Sequence, residues 1–423
     1  MSDTTRRTFL QTTATAAATA TLLPGAFAAG NDTLKIALVG CGGRGTAAAR
    51  EALQADKNVK LVAMCDVFMD RLEKSLGTLN DAASIAGKID VPKERQFDGF
   101  DGYKRVLESD VDVVLLATPP GFRPLHLAAA IKAGKHVFCE KPVAVDASGV
   151  KSVLETAKLA KEKNLSLCSG FCYRYDLAKR ETVNRIHGGM IGDISAMHIT
   201  YLTGTLWHRG NDPKWTPMEY QMRNWYYYTW LSGDFIVEQH CHNFDKANWV
   251  FRGEMPVSAM GVGGRQVRAQ PKFGHIYDHF AVTLEYKSGA KLFSFCRQMD
   301  GCPGDVNDHI MGTKGSAQLM KHSIDTTDGK QWEFGSEMKV KSMYQVEHDE
   351  LFAGIRSGKF INDGESAAYS TLMAIMAREA AYTGRRITWK EMLASNQNLA
   401  PKEYAWGPIE TPPVPMPGTY KMS

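Results

Sequence analysis

Three groups of residues in this chain have types and spacings that could do chemistry. The first is Gly40-Cys41-Gly42-Gly43-Arg44-Gly45, a complete GxGxxG run directly after the apolar stretch Leu34 to Val39. Gly40 permits a tight turn, Gly42 lets the backbone approach a pyrophosphate, and Gly45 lets the following helix pack on the strand. The free amides at the helix start, with Gly43 and Arg44 completing the loop, then face the anion. Roughly twenty residues on, Lys60 to Cys65 reads as a second strand ending in Asp66, where a carboxylate can hold both ribose hydroxyls. That carboxylate would repel a 2′-phosphate, and Val67 and Phe68 follow it, so NAD is expected over NADP. Arg71 keeps NADP open.

The second group is the run from Gly233 to Trp249, which reads as one amphipathic helix with Glu238, His242 and Asp245 on one face. Oxidising a secondary alcohol requires a base near neutral pKa to take the hydroxyl proton, and imidazole suits that task. A carboxylate one turn away could orient His242. His240 points to another face, so Glu238, His240 and His242 do not make a metal triad, and no metal is assigned. The third group is Leu206 to Trp230, which holds four of the eight tryptophans, Trp207, Trp215, Trp225 and Trp230, together with Tyr220 and Tyr226 to Tyr228. Aromatic faces suit sugar rings whose hydroxyls could bind His208, Arg209 or Arg223. An oligomer interface is the alternative, since interfaces are enriched in the same residues.

The elements that must position these groups follow from periodicity. Val111 to Ala117 is an apolar strand, Leu125 to Ala133 a helix closed by Gly134, and His136 to Cys139 another buried strand. Strand-helix-strand alternation predicts a parallel, doubly wound α/β sheet, with ligands at its carboxyl ends. Thr118-Pro119-Pro120 and Glu140-Lys141-Pro142 stand at two such ends. Asp146 to Lys163 has helical spacing and an N-cap, and Leu165 to Phe171 returns to strand, which places a domain boundary at 164/165. Beyond it, Ile194 to Leu202, Val257 to Val262, Phe280 to Tyr286 and Lys291 to Phe295 are strands without crossover helices, predicting a mostly antiparallel open sheet in a second α/β domain over 165–395. The proline-rich tail 396–423 would either wrap a neighbour or stay free.

The run Ala117, Thr118, Pro119, Pro120, His126, Gly134, Lys135, His136, Val137, Glu140, Lys141, Pro142 resembles the Gfo/Idh/MocA oxidoreductase family, which includes glucose-fructose oxidoreductase and inositol dehydrogenase. The likeness extends from Asn31 to about residue 395. It implies that Lys141 reaches nicotinamide and substrate, that the Lys-Pro bond is cis, and that Thr118, Pro119, His126 and Glu140 flank the cofactor. A core histidine is the alternative for His126. The family motif carries an aspartate four residues before the catalytic histidine and a carboxylate three after it. His242 and Asp245 match, while Glu238 departs by one methylene. Arg174 and Tyr175 resemble a turn whose basic or polar residue reaches cofactor or substrate, and Met311 to Ser316 resembles a turn in the sheet that mediates homo-oligomers.

A chain of 423 residues with 44% hydrophobic and 23% charged residues has the composition of a soluble two-domain enzyme and excludes collagenous, coiled-coil and disordered classes. Its net charge of +4 comes without a block of like charges, so no nucleic-acid footprint is present. Arg6 and Arg7 precede Thr8-Phe9-Leu10, a mildly apolar stretch and Ala26-Phe27-Ala28. That order reads as a twin-arginine export signal over residues 1–28, too weakly apolar to span a membrane, and predicts a periplasmic protein delivered by the Tat machinery. The eight cysteines lie mostly in apolar runs and read as buried thiols. An exported enzyme cannot exchange NAD with the cytosol, so the cofactor is expected to be tightly bound and recycled on the protein. Three outcomes remain open: redox on a sugar or glycoside, glycoside cleavage through oxidation, elimination, hydration and re-reduction, or carbohydrate binding without turnover.

Overall fold

The computed structural model describes residues 32–335 and 340–422, so the export segment 1–28 lies outside the described residues. Six strands form the first sheet: β1 (Leu34–Val39), β2 (Val59–Cys65), β3 (Gln96–Phe97), β4 (Val113–Leu116), β5 (His136–Cys139) and β6 (Leu167–Ser169). Their order is β3-β2-β1-β4-β5-β6, and every pairing is parallel. Strands such as Leu34–Val39 and Val113–Leu116 are apolar at nearly every position because helices cover both faces, and they are buried accordingly. The order reverses between β1 and β4, and the carboxyl ends of those two strands make the crevice in which such folds bind ligands.

Two features correct the expected boundary at 164/165. β6 hydrogen-bonds to β5 and is the last strand of the parallel sheet rather than the first of the second domain. The chain also returns late, because helix Met343–Ser357 buries Leu351, Phe352 and Ile355 in the same core as β1 and β2. Arg356 in that helix pairs with Asp56, and His348 stacks on Phe138. Apolar spacing identifies a helix but not the surface it covers, so this crossover is a tertiary outcome.

The second sheet has nine strands: β7 (Ile194–Thr203), β8 (Ser258–Gly264), β9 (His279–Glu285), β10 (Lys291–Gln298), β11 (Asp305–Gly312), β12 (Gly315–Gln318), β13 (Ser323–Thr326), β14 (Gln331–Glu333) and β15 (Ile387–Thr388). Their order is β14-β13-β12-β11-β7-β10-β9-β8-β15, antiparallel except for β7 against β10. The alternating burial of Lys291–Gln298 shows the cause: one face packs on helices and the other does not. Helix Gly364–Thr383, buried on nearly all sides, sits against helix Ala147–Glu162 of the first domain and helix Cys241–Val250 of the second, fastening one to the other.

The tail wraps its own chain. Tyr404 and Trp406 pack on Phe68, Phe100 and Phe122, Met218 donates its amide to the Gly407 carbonyl, and Tyr277 donates to the Pro415 carbonyl. None of the eight cysteines is bridged, and seven are buried, with Cys302 exposed. Among the described residues no helix is long and apolar enough to cross a membrane.

Candidate active site

The glycine loop forms a cradle that backbone fills and side chains could not. A Cβ on Gly40, whose φ is +99°, would stand 2.5 Å from the Ala117 carbonyl carbon, and one on Gly45 would stand 2.0 Å from the Gly40 carbonyl oxygen. At Gly42 and Gly43 there is open space instead, and both line a cleft with Asp66, Thr118, Pro119 and His126. Helix Gly43–Ala55 starts there with no side-chain cap and no acidic residue in its first turn. Uncapped amides and the positive end of the helix dipole facing a cleft fit the pyrophosphate of a dinucleotide. Asp66 is buried at the far side, its two carboxylate oxygens accepting from the amides of Cys41 at 2.7 Å and Phe68 at 3.0 Å. Burial raises its pKa in spite of those bonds. Arg44 leaves the loop to pair with Glu140, with Glu51 at 3.0 Å and with Glu347 at 3.1 Å, so it anchors the loop to the sheet and to the returning helix.

Lys141 stands at the end of β5 with a cis bond to Pro142. Its ammonium donates to the Glu238 carbonyl at 2.6 Å and to the Glu238 carboxylate at 3.1 Å, joining the end of β5 to helix Phe235–Glu238. Burial works against the charge, but the Glu238 carboxylate outweighs it and holds the lysine pKa above its usual value. Nearby, His242 sits edge-on to Tyr173, with ring centroids 5.2 Å apart. Its Nδ1 is buried without a hydrogen-bond partner among the described residues. Burial, followed by the charges of Lys141, Lys246 and Arg44, drives its pKa well below the ordinary imidazole value. A neutral imidazole with a free nitrogen beside an ammonium group can accept a hydroxyl proton while the ammonium holds the same oxygen.

Two family models match this chain in succession: the oxidoreductase family with NAD-binding Rossmann fold over residues 34–169, and the GFO/IDH/MocA C-terminal domain over residues 180–318. The chain belongs to the Gfo/Idh/MocA family. As a member it is an oxidoreductase. It is 24% identical over 371 residues to the myo-inositol 2-dehydrogenase of Thermotoga maritima, covering 85% of this chain and 100% of that one. In fold it is similar to the aldose-aldose oxidoreductase of Caulobacter crescentus, with a TM-score of 0.64, 19% identity, and 84% and 99% of the two chains covered. It is also similar to the scyllo-inositol dehydrogenase of Lactobacillus casei with bound NAD(H) and scyllo-inositol, with a TM-score of 0.64, 19% identity, and 86% and 100% covered.

Several site residues of this Gfo/Idh/MocA member lie elsewhere than the sequence suggests. The expected single helix is two, Phe235–Glu238 and Cys241–Val250, because Gln239 and His240 are drawn onto β10. There Gln298 donates to the Gln239 side chain at 3.0 Å, and the His240 Nε2 meets the Ser294 hydroxyl at 2.9 Å. Glu238 therefore engages Lys141 instead of orienting His242. Asp245 is buried and held by two partners, the Arg174 guanidinium, which uses its Nε and Nη2, and the Ser370 hydroxyl. Tyr175 is buried away from the cleft, donating to Asp363 at 2.8 Å. His126 is a cleft-wall residue stacked between Tyr103 and Phe122, and burial pushes its pKa down to about 3.

The aromatic segment is the larger correction. Trp207, Arg209, Met222 and Trp225 line the cleft that holds Asp66, Phe68 and the glycine loop, so this stretch of the second domain covers the dinucleotide site. Arg223 pairs with Asp70 at 3.2 Å and lies over the Phe68 ring, and His208 faces an outer groove with Tyr220 and Lys272. Residues that sequence reasoning passed over include Arg123, which is buried and donates to the Thr118 carbonyl at 2.8 Å and to the Pro142 carbonyl, tying together the two strand-end loops. Glu347, whose carboxyl burial drives far upward, carried no motif that could have marked it, and Tyr173 stands in the same turn as Arg174 and Tyr175.

Proposed function

We propose that this chain is an exported, periplasmic oxidoreductase that oxidises a secondary alcohol of a sugar, cyclitol or glycoside with a tightly held NAD. The observation that carries this reading is the Lys141–Glu238 bridge at 3.1 Å beside the partnerless His242 nitrogen, at the carboxyl end of the parallel sheet. A nicotinamide bound by Gly40, Gly42, Gly43, Gly45 and Asp66 would supply a hydride acceptor. Lys141 then orients the substrate oxygen and lowers its proton affinity, and His242 takes the proton. Glu238 fixes the ammonium until a hydroxyl competes for it.

Asp66 at the ribose end supports NAD, and the walls that Trp207 and Trp225 of the second domain add to the cleft, with Trp406 buttressing Phe68 and Phe100 behind it, support slow release. The arginine pair and the apolar stretch of residues 1–28 support delivery by the Tat machinery to the periplasm. Homo-oligomerisation is supported by the uncovered face of the nine-stranded sheet. There Met260, Val262, Phe295 and Met311 are exposed together, a surface suited to a second copy. A retained cofactor allows either a second sugar or the product itself to restore it, so net redox and net glycoside cleavage share this site.

The test is to purify the mature protein, denature it and quantify the dinucleotide released. The intact protein is then given inositols, aldoses and glycosides with no added cofactor. About one equivalent of dinucleotide and a change in nicotinamide absorbance with at least one polyol are expected. An empty protein that stays silent with added NAD would overturn the reading. Product masses then distinguish an oxidised sugar from a freed aglycone.

A further inference from the structure

The dinucleotide cleft takes part of its lining from each domain: Phe68, Phe100 and Phe122 from the first, and Trp207, Met222 and Trp225 from the second. The C-terminal tail, which has no helix or strand between residues 396 and 422, crosses from one domain to the other beside these walls. On the first domain the Leu399 amide donates to the Asp146 carboxylate at 2.7 Å. Tyr404 then packs on Phe122, with ring centroids 5.1 Å apart, and Trp406 packs on Phe100 at 4.7 Å and on Phe68 at 5.6 Å. At the next residue the tail meets the second domain. The Gly407 carbonyl accepts from the Met218 amide at 3.0 Å, and the Thr411 hydroxyl accepts from the Gln221 side chain at 3.2 Å, both on the helix Pro217–Arg223 that carries Met222. Further on, the Pro415 carbonyl accepts from the Tyr277 hydroxyl at 2.7 Å.

We propose that this tail is a strap that ties the two walls together, and that its local detachment is the step through which dinucleotide exchanges. The inference rests on the dinucleotide reading of the cleft and adds what controls exchange. Tyr404 and Trp406 are positioning residues in this scheme, acting on the cofactor through the rings they hold. Phe100 depends on them most. It lies between β3 and helix Gly102–Glu108, outside any regular element, and two of its three ring partners are Tyr404 and Trp406, the third being Phe122. Phe122 carries the constraint inward, because it stacks on His126 in the same cleft. Tyr404 also meets Trp230 of the second domain, with ring centroids 6.4 Å apart, so one tail ring bridges both domains.

The way the strap is held makes detachment a local event. A strand or helix leaves only with its whole ladder of hydrogen bonds, whereas this segment is pegged by single hydrogen bonds and a few rings. Trp406 keeps 45% of its surface in water, so lifting it away opens no cavity in the core. Segments with few buried contacts open at a free energy below that of global unfolding. A ligand whose wall moves with such a segment leaves at a rate set by that opening, as product release in many enzymes is set by a lid.

The test loads the intact protein with NADH and follows nicotinamide fluorescence after a chase with excess NAD. Trp406→Ala and Tyr404→Ala should each speed NADH release about tenfold, and the double change should speed it more than either. Trp406→Phe, which restores a ring, should bring release back to within about threefold of the native rate. Met416→Ala, at a tail position that is 63% exposed, should leave release unchanged. Urea unfolding of each variant distinguishes a strap from general loosening: in Trp406→Ala release should quicken while the unfolding midpoint stays near the native value. Native release rates in both alanine variants overturn the proposal, as does release that quickens only in step with lost global stability, Met416→Ala included. Native protein that takes up no NADH removes the underlying dinucleotide reading, whereas NADH held equally long with and without the Tyr404 and Trp406 rings removes this inference alone.

Discussion

The bridge between Lys141 and Glu238 can be tested without knowing the substrate, through a double-mutant cycle in stability. Both side chains are 13% exposed and the charges are 3.1 Å apart. At an effective dielectric of about 20, Coulomb's law gives about 5 kcal/mol of attraction, most of it offset by the cost of taking two charges out of water. Glu238→Gln leaves the ammonium with two neutral acceptors, one of them the unchanged backbone carbonyl, and should cost about 2 kcal/mol. Lys141→Met strands a buried carboxylate and should cost about 3 kcal/mol. In the double variant neither group is left charged and alone, so the combined cost should be about 2 kcal/mol rather than 5, a coupling of about 3 kcal/mol. Guanidinium unfolding of the four proteins at pH 7 measures it, with bound dinucleotide quantified in each. Coupling below about 0.5 kcal/mol would refute the reasoning, because it would mean that water already separates the two charges.

Three further outcomes follow from the same geometry. His242→Ala should slow single-turnover reduction of bound dinucleotide by a hundredfold or more. In the native protein the base stays deprotonated at neutral pH, so the rate should fall only as pH drops through a value well below 6.5; an acid limb at or above 6.5 would remove His242 as the base. Gly45→Ala should abolish dinucleotide retention and cost about 3 kcal/mol or more, since its Cβ would stand 2.0 Å from the Gly40 oxygen; near-normal retention would count against the tight packing of the loop. Asp234, whose pKa burial pushes up from 3.8 to about 6, holds a proton in the folded state that the unfolded chain has already released. Stability should therefore decline as pH rises from about 4 to 6, by about 2 kcal/mol relative to Asp234→Asn, as unfolding at a series of pH values would show.

The residues themselves determined the first half of this protein. A glycine loop between an apolar strand and a helix has one stable use of its backbone amides, and alternating buried strands and helices force a parallel sheet whose carboxyl ends carry Thr118 and Lys141. The alternating strands after residue 190 likewise required a sheet with one open face. These are local constraints, written in neighbouring residues and their periodicity. What only the tertiary structure decided is which distant segments meet. The run around His242 has helical composition throughout, yet β10 captures Gln239 and His240 and breaks it, which turns Glu238 toward Lys141 and away from the histidine. Asp245 looks free in sequence but is consumed by Arg174, seventy-one positions earlier in the chain. Trp207 and Trp225 of the 206–230 segment, suited to sugars by type, line the dinucleotide cleft, because an aromatic face records the need for a partner and not the partner's identity. The same holds for helix Met343–Ser357, which crosses back to the first domain to set Glu347 against Arg44. Apolar spacing fixes that a surface must be buried, and long-range packing alone selects against what.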